Sequence, residues 1–183
     1  ARDFIFKEDV TYPETYYRGE YLIDIANVVI EKFGKDIIYD EARFKEIAFF
    51  SKDLVMEIII KDLKDLGITF DNFVSEKSLY SSWDTTKEVL EKNGSLYSKD
   101  EKIYLKSTQY GDDSDRVVVR DNGIPTYLAG DIIYHKNKYD RKFDRYINIW
   151  GADHHGYIPR VKAAVEFLGN NSSKLEVILS QMV

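Results

Sequence analysis

Residues 146–179 read YINIWGADHHGYIPRVKAAVEFLGNNSSKLEVIL, and this stretch decides the fold class. Tyr146 to Trp150 and Leu175 to Leu179 are short β-prone apolar runs, which predict two buried strands. Between them, Pro159 to Leu168 predicts a helix, with Pro159 near its first position and Gly169 just past its end. Two strands joined by a helix of this length make a βαβ crossover, and hence a parallel sheet. Open parallel sheets bind ligands beyond the carboxyl ends of their strands, which points to Gly151-Ala152-Asp153-His154-His155-Gly156. Gly151 lets a ligand approach the backbone, Asp153 can accept hydrogen bonds from a ribose diol, and the following helix offers free N–H groups. Capping of that helix by Asp153 is the bland alternative, and residue types alone leave the two level.

Upstream, Thr126 to about Tyr139 predicts a helix on which Tyr127 and Asp131, four apart, share a face. A phenol beside a carboxylate can hold a cation, the carboxylate taking a guanidinium in two parallel hydrogen bonds. Two polar residues on an exposed face is the competing reading. The pair His154-His155 suggests metal, but adjacent residues point in different directions, and no His-x-x-x-His or carboxylate-rich partner motif stands near. Lys136, Lys138, Arg141, Lys142 and Arg145 form the densest basic stretch, read as a solvated helix end and loop.

Residues 94–125 hold short alternating runs, Leu96-Tyr97, Ile103-Tyr104-Leu105 and Val117-Val118-Val119, separated by turn residues, which predict hairpins. Nearer the start, Leu22, Ile25, Ala26, Val29, Ile30 and Phe33 follow helical spacing and Gly34 closes the run. A longer helix is expected from Asp40 as N-cap to Leu66, with a break at Ser51-Lys52 and Gly67 as its stop. Ile68 to Val74 predicts a strand, and Ser81 to Asn93 a helix ended by Gly94.

The 183 residues are 44% hydrophobic and 32% charged, as expected of one soluble domain with a real core. The chain starts at Ala1 without methionine and ends on an apolar run, so a fragment is expected. No apolar stretch approaches the roughly 20 residues that span a bilayer, and the first residues are too charged for a signal peptide, so a cytoplasmic location is expected. The absence of cysteine excludes disulfides and thiolate metal sites. A net charge of -6 argues against nucleic-acid binding by a uniformly basic surface, so any RNA contact is local.

Gly111-Asp112-Asp113, Asp115 to Arg120, Pro125 to Asp131, Asp144-Arg145 and Ile149 to Tyr157 resemble the arginyl-tRNA synthetase family in order and spacing, as do Phe73-Val74-Ser75-Glu76 and Leu79-Tyr80. The resemblance implies an α/β fold: a class I nucleotide-binding, Rossmann-like parallel sheet with flanking helices. The chain would be an incomplete domain, 1–183 of it, carrying a β-rich connective insertion at about 94–125. It implies that Tyr127, Asp131 and His154 bind arginine, and that Gly151, Asp153, Gln181, Met182 and Val183 bind ATP. Implied partners are arginine, ATP with Mg2+ and tRNA(Arg), in a monomeric parent, with no dedicated protein metal site. Both class I signatures, of the His-Ile-Gly-His and Lys-Met-Ser-Lys types, are missing from the sequence, so the piece alone is expected to be inactive. Asp153-His154-His155 also spells the motif of a metal-dependent phosphoesterase family, which needs further aspartates at other strand ends.

Overall fold

The structure, a computed structural model, describes residues 1–12, 14–15 and 19–181. Where length suggests one domain, the chain divides into two compact units, Ala1–Asn72 and Phe73–Val183.

In the first unit, α1 spans Tyr21–Phe33 and stops at Gly34, whose φ of 85° a side chain would strain. Asp40 accepts a hydrogen bond from the Ala42 N–H at 3.1 Å, capping a single turn that leads into α2, Phe44–Asp65. That helix runs unbroken through Ser51 and Lys52, against the expected break. Neither residue costs a helix more than a few tenths of a kcal/mol, about the size that tertiary context overrides. Ile25, Val29 and Ile37 form the unit's core, with Phe33, Ile47, Phe50, Leu54 and Val55 packed against it. Residues 68–74 form no strand: Ile68, Phe70, Phe73 and Val74 are exposed. β-propensity is used only where a neighbouring strand is in reach, and neither sheet among the described residues includes this run.

The second unit begins with α3, Glu76–Leu79, and α4, Trp83–Lys92. The expected hairpins follow as an antiparallel sheet in the order β1 (Leu96–Lys99), β2 (Lys102–Leu105), β3 (Arg116–Val119). Asp100 and Glu101 both take positive φ in the two-residue β1–β2 turn, matching the twist of the strands. Then come α5 (Tyr127–Asp140), β4 (Tyr146–Gly151), α6 (Ile158–Phe167) and β5 (Leu175–Ser180), with β4 and β5 paired in parallel. The architecture is α/β with a parallel strand pair, as the βαβ reading requires.

Trp83, Leu90, Leu105, Val118, Ile132 and Ala163 share one core, so the antiparallel sheet is bonded to α4, α5 and α6 rather than hanging free. Tyr139, Tyr146, Val161, Val165 and Leu175 fill a second cluster. The parallel strands are covered on one face only: Tyr146 and Asn148 are buried, whereas Ile147, Ile149 and Ile178 are exposed. This differs from the two-sided burial usual for parallel sheets. It also corrects the expectation of two buried strands, since each is buried at some positions and exposed at others.

Candidate functional site

Beyond the carboxyl end of β4 lies a cavity of about 590 Å3. One wall is a stripe of α5 at helical spacing: Tyr127, Asp131, Tyr134, His135 and Lys138. The end of β4 supplies Asn148 to Gly151, the turn after it His154 and Tyr157, and α3 closes the remaining side with Glu76. Tyr127 and Asp131 thus meet in one cavity, as their spacing of four suggested.

Glu76 reaches this site because Gly130 leaves room. A Cβ at Gly130 would stand 3.0 Å from the Tyr80 hydroxyl and 3.2 Å from Glu76 Oε1. The Tyr80 hydroxyl donates to Glu76 at 3.2 Å and holds that carboxylate in place. Burial, and then the like charge of Glu76, pushes the Asp131 carboxyl up to about 6, against the opposing pull of His154. Among the described residues neither Glu76 nor Asp131 has an ion-pair partner. Two carboxylates facing one cavity can together take a cation, and Tyr127, 73% exposed on the first turn of α5, flanks them.

Deeper in, His135 is 2% exposed, and burial pushes its imidazole down to about 4, so it is neutral. The Lys138 ammonium, which can only donate, bonds Asn148 Oδ1, so the Asn148 amide nitrogen faces His135 Nε2 at 2.8 Å. Nε2 therefore accepts, and Nδ1–H donates to the Asp131 carbonyl at 2.7 Å. One tautomer follows from the chain of donors.

At the mouth, Gly151 is extended, and a Cβ there would lie 2.5 Å from Asp153 Oδ1. Glycine is needed for the Asp153 side chain to fold back over the strand end. Asp153 is the N-cap of neither helical segment, those positions falling to Gly151 and Tyr157, and its carboxylate is 81% exposed. The capping alternative is thereby removed. A 3-10 segment, Ala152–Tyr157, stands between Gly151 and the expected helix, which begins at Ile158 as α6. His154 lines the cavity, its ring 6.4 Å from Trp150 and 5.7 Å from Tyr157. Gln181 is exposed and is not among the cavity residues; Met182 and Val183 lie outside the described residues.

Sequence reasoning assigned no site role to Glu76, His135, Asn148, Trp150 or Tyr157, and it read Lys138 as part of a solvated basic stretch, whereas Lys138 is half-buried and bonds Asn148. The signal for Glu76 lay in the quoted run Phe73-Val74-Ser75-Glu76, with Tyr80 four residues on. Among the described residues no three His, Cys, Asp or Glu side chains gather as a metal site. In the basic stretch, Lys136 pairs with Asp140 at 2.8 Å and Arg145 with Glu176, so part of its charge is neutralised locally.

No family model matches the chain. Over all 183 residues it is 81% identical to an arginine–tRNA ligase of Aliarcobacter butzleri and 57% identical to one of Campylobacter curvus, covering 35% of each. A Campylobacter jejuni crystal structure carrying the arginyl-tRNA synthetase name superposes with a TM-score of 0.94 at 48% identity, over 99% of this chain and 40% of that one. Over its full length the chain is similar to arginine–tRNA ligases. It spans about a third of the length of the curated relatives it matches, 35% in both cases above. Arginyl-tRNA synthetase from Thermus thermophilus shares the fold, with a TM-score of 0.65 at 14% identity, over 92% of this chain and 37% of that one.

Proposed function

We propose that the protein containing this chain is an arginine–tRNA ligase, which activates arginine with ATP and transfers it to tRNA(Arg). The observation that carries this reading is the pair Glu76 and Asp131, two carboxylates without ion-pair partners among the described residues, facing one cavity beside Tyr127. A planar guanidinium can bond both carboxylates at once, whereas an ammonium is a point charge with no matching fork. The similarity to arginine–tRNA ligases gives this cation site its substrate.

In the proposed reaction, the arginine carboxylate attacks the α-phosphate of ATP in line and pyrophosphate leaves. The terminal ribose hydroxyl of the tRNA then takes the arginyl group. Glu76, Asp131 and Tyr127 grip the guanidinium, and His154 borders the substrate. Asp153, exposed beside the constricted Gly151, accepts hydrogen bonds from the ATP ribose. Gln181, Met182 and Val183 pass the adenine. Mg2+ arrives with ATP, and catalysis consists of positioning and charge stabilisation rather than attack by a protein nucleophile.

This reading makes β4 and β5 part of a class I Rossmann-like sheet, and residues 94–125 the connective insertion. The protein works in the cytoplasm as a monomer; no described helix is long and apolar enough to cross a membrane.

The test is tRNA charging by the full-length protein with arginine, lysine or citrulline, the last a neutral near-isostere of arginine. Charging with arginine, and kcat/KM lower by at least about a hundredfold for the other two, is the expected result. Comparable use of citrulline rules out a charge-reading carboxylate pair.

A further inference from the structure

We infer that Asp112, in the loop before β3, is a positioning residue for the turn that carries Asp153 and His154, and that it acts through Arg160 and Tyr157. Asp112 has a side chain only 2% exposed and is already neutralised by Arg116, whose Nε and Nη2 each bond it at 2.9 Å. A second guanidinium nevertheless stands beside it: Arg160 Nε is 3.6 Å from Asp112 Oδ2. That nitrogen is buried and makes no hydrogen bond. A buried donor without an acceptor is unfavourable, so something other than hydrogen bonding fixes where Arg160 lies.

The other side of the guanidinium supplies the reason. It lies over the Tyr157 ring, 4.3 Å from the centroid, in cation–π geometry. Tyr157 in turn meets the His154 ring edge-on at 5.7 Å, on the cavity wall. Arg160 sits in the first turn of α6, directly after the segment Ala152–Tyr157. The attraction of Asp112 for Arg160 therefore pulls on the end of that segment. The pull has a firm base, because the turn Ser107–Tyr110 packs along α6 and Tyr110 meets Phe167 edge-on at 4.9 Å. Through this contact the antiparallel sheet sets the register of the turn after β4.

The inference rests on the reading that Asp153 holds the ATP ribose. Its test is steady-state aminoacylation by the full-length protein with ATP varied, arginine and tRNA saturating, and active sites titrated. The variants are Asp112→Asn, Arg160→Lys and Asp153→Ala. Asp112→Asn and Arg160→Lys are each expected to raise the KM for ATP about 5- to 10-fold, with kcat per active site within about threefold, and the double variant to add little to either. A loss of active-site titre with unmoved KM in both variants marks a merely structural role and overturns the inference. Should Asp112→Asn fail to fold, Arg160→Lys, which keeps the charge, decides alone. Unmoved KM in Asp153→Ala overturns the ribose reading and the inference with it. A moved KM there, with unmoved values in the other two, overturns the inference alone.

Discussion

Glu76 on α3 and Asp131 on α5 face the same cavity, and the hydrogen of Gly130 is what lets them do so. Their mutual repulsion is relieved when Asp131 holds a proton, and on the proposed reading it is relieved as well when a guanidinium binds.

The first consequence is a pH dependence. The Asp131 carboxyl titrates at about 6, and an arriving cation favours its ionised form, so arginine binding expels a proton below that value. The kcat/KM for arginine should therefore rise with pH up to about 6 and level off above it, since this constant reports the free enzyme. The inflection is expected to vanish in Asp131→Asn. An inflection unchanged in that variant assigns it to another group.

Stability should move the opposite way. The folded Asp131 carboxyl at about 6 lies above its ordinary 3.8, so between those values the folded state holds a proton that the unfolded chain has lost. Stability contributed by this group falls as pH rises through that window, and the penalty is full above about 6. Asp131→Asn should raise the thermal midpoint at about pH 7.5 more than at about pH 5, by calorimetry of the full-length protein. A destabilised variant at the higher pH contradicts the burial argument.

Gly130→Ala separates stability from function. Alanine favours a helix over glycine by about 0.8 to 1 kcal/mol. Its methyl would nonetheless crowd the Tyr80 hydroxyl at 3.0 Å and Glu76 at 3.2 Å, both ends of side chains that can yield by a few tenths of an ångström. Unchanged or raised thermal stability is expected, with the KM for arginine up by about 3- to 10-fold. Unaltered KM shows that the Glu76 position does not matter to the substrate.

The chain from half-buried Lys138 through buried Asn148 to buried His135 gives each side-chain nitrogen and oxygen in it a partner. Asn148→Leu strands the His135 Nε2 and the Lys138 ammonium together, and should cost about 2 to 4 kcal/mol in denaturant unfolding. Lys138→Met combined with Asn148→Leu should cost less than Asn148→Leu alone, because the stranded charge is gone. Equal costs contradict the donor order assigned to the chain.

What could be read in the sequence follows a physical division. Helix α1, the strands of residues 94–125 and the β4–α6–β5 unit were legible because periodicity, positive-φ turns and proline position are local properties. The unbroken α2 and the non-strand course of residues 68–74 were not, because neighbours in space decide whether a weak break or a β-prone run is used. In the site, Tyr127 and Asp131 could be paired from sequence because a helix repeats at four residues. Glu76 and Asn148 could not, since they come from other elements and only the fold brings them to α5. Tyr157 and Arg160 sat beside the quoted motif without any local sign of their link to Asp112.

The most direct test of the guanidinium site is steady-state aminoacylation by the full-length protein and its Asp131→Asn variant, with arginine varied and ATP and tRNA saturating. Asparagine keeps the shape and removes the charge, so kcat/KM for arginine should fall by about 2 to 4 kcal/mol, roughly 30- to 1000-fold, with Tyr127→Phe costing a smaller 1 to 2 kcal/mol, roughly 5- to 30-fold. A kcat/KM for Asp131→Asn within about twofold of the unaltered protein would contradict the assignment of Asp131 as the guanidinium ligand.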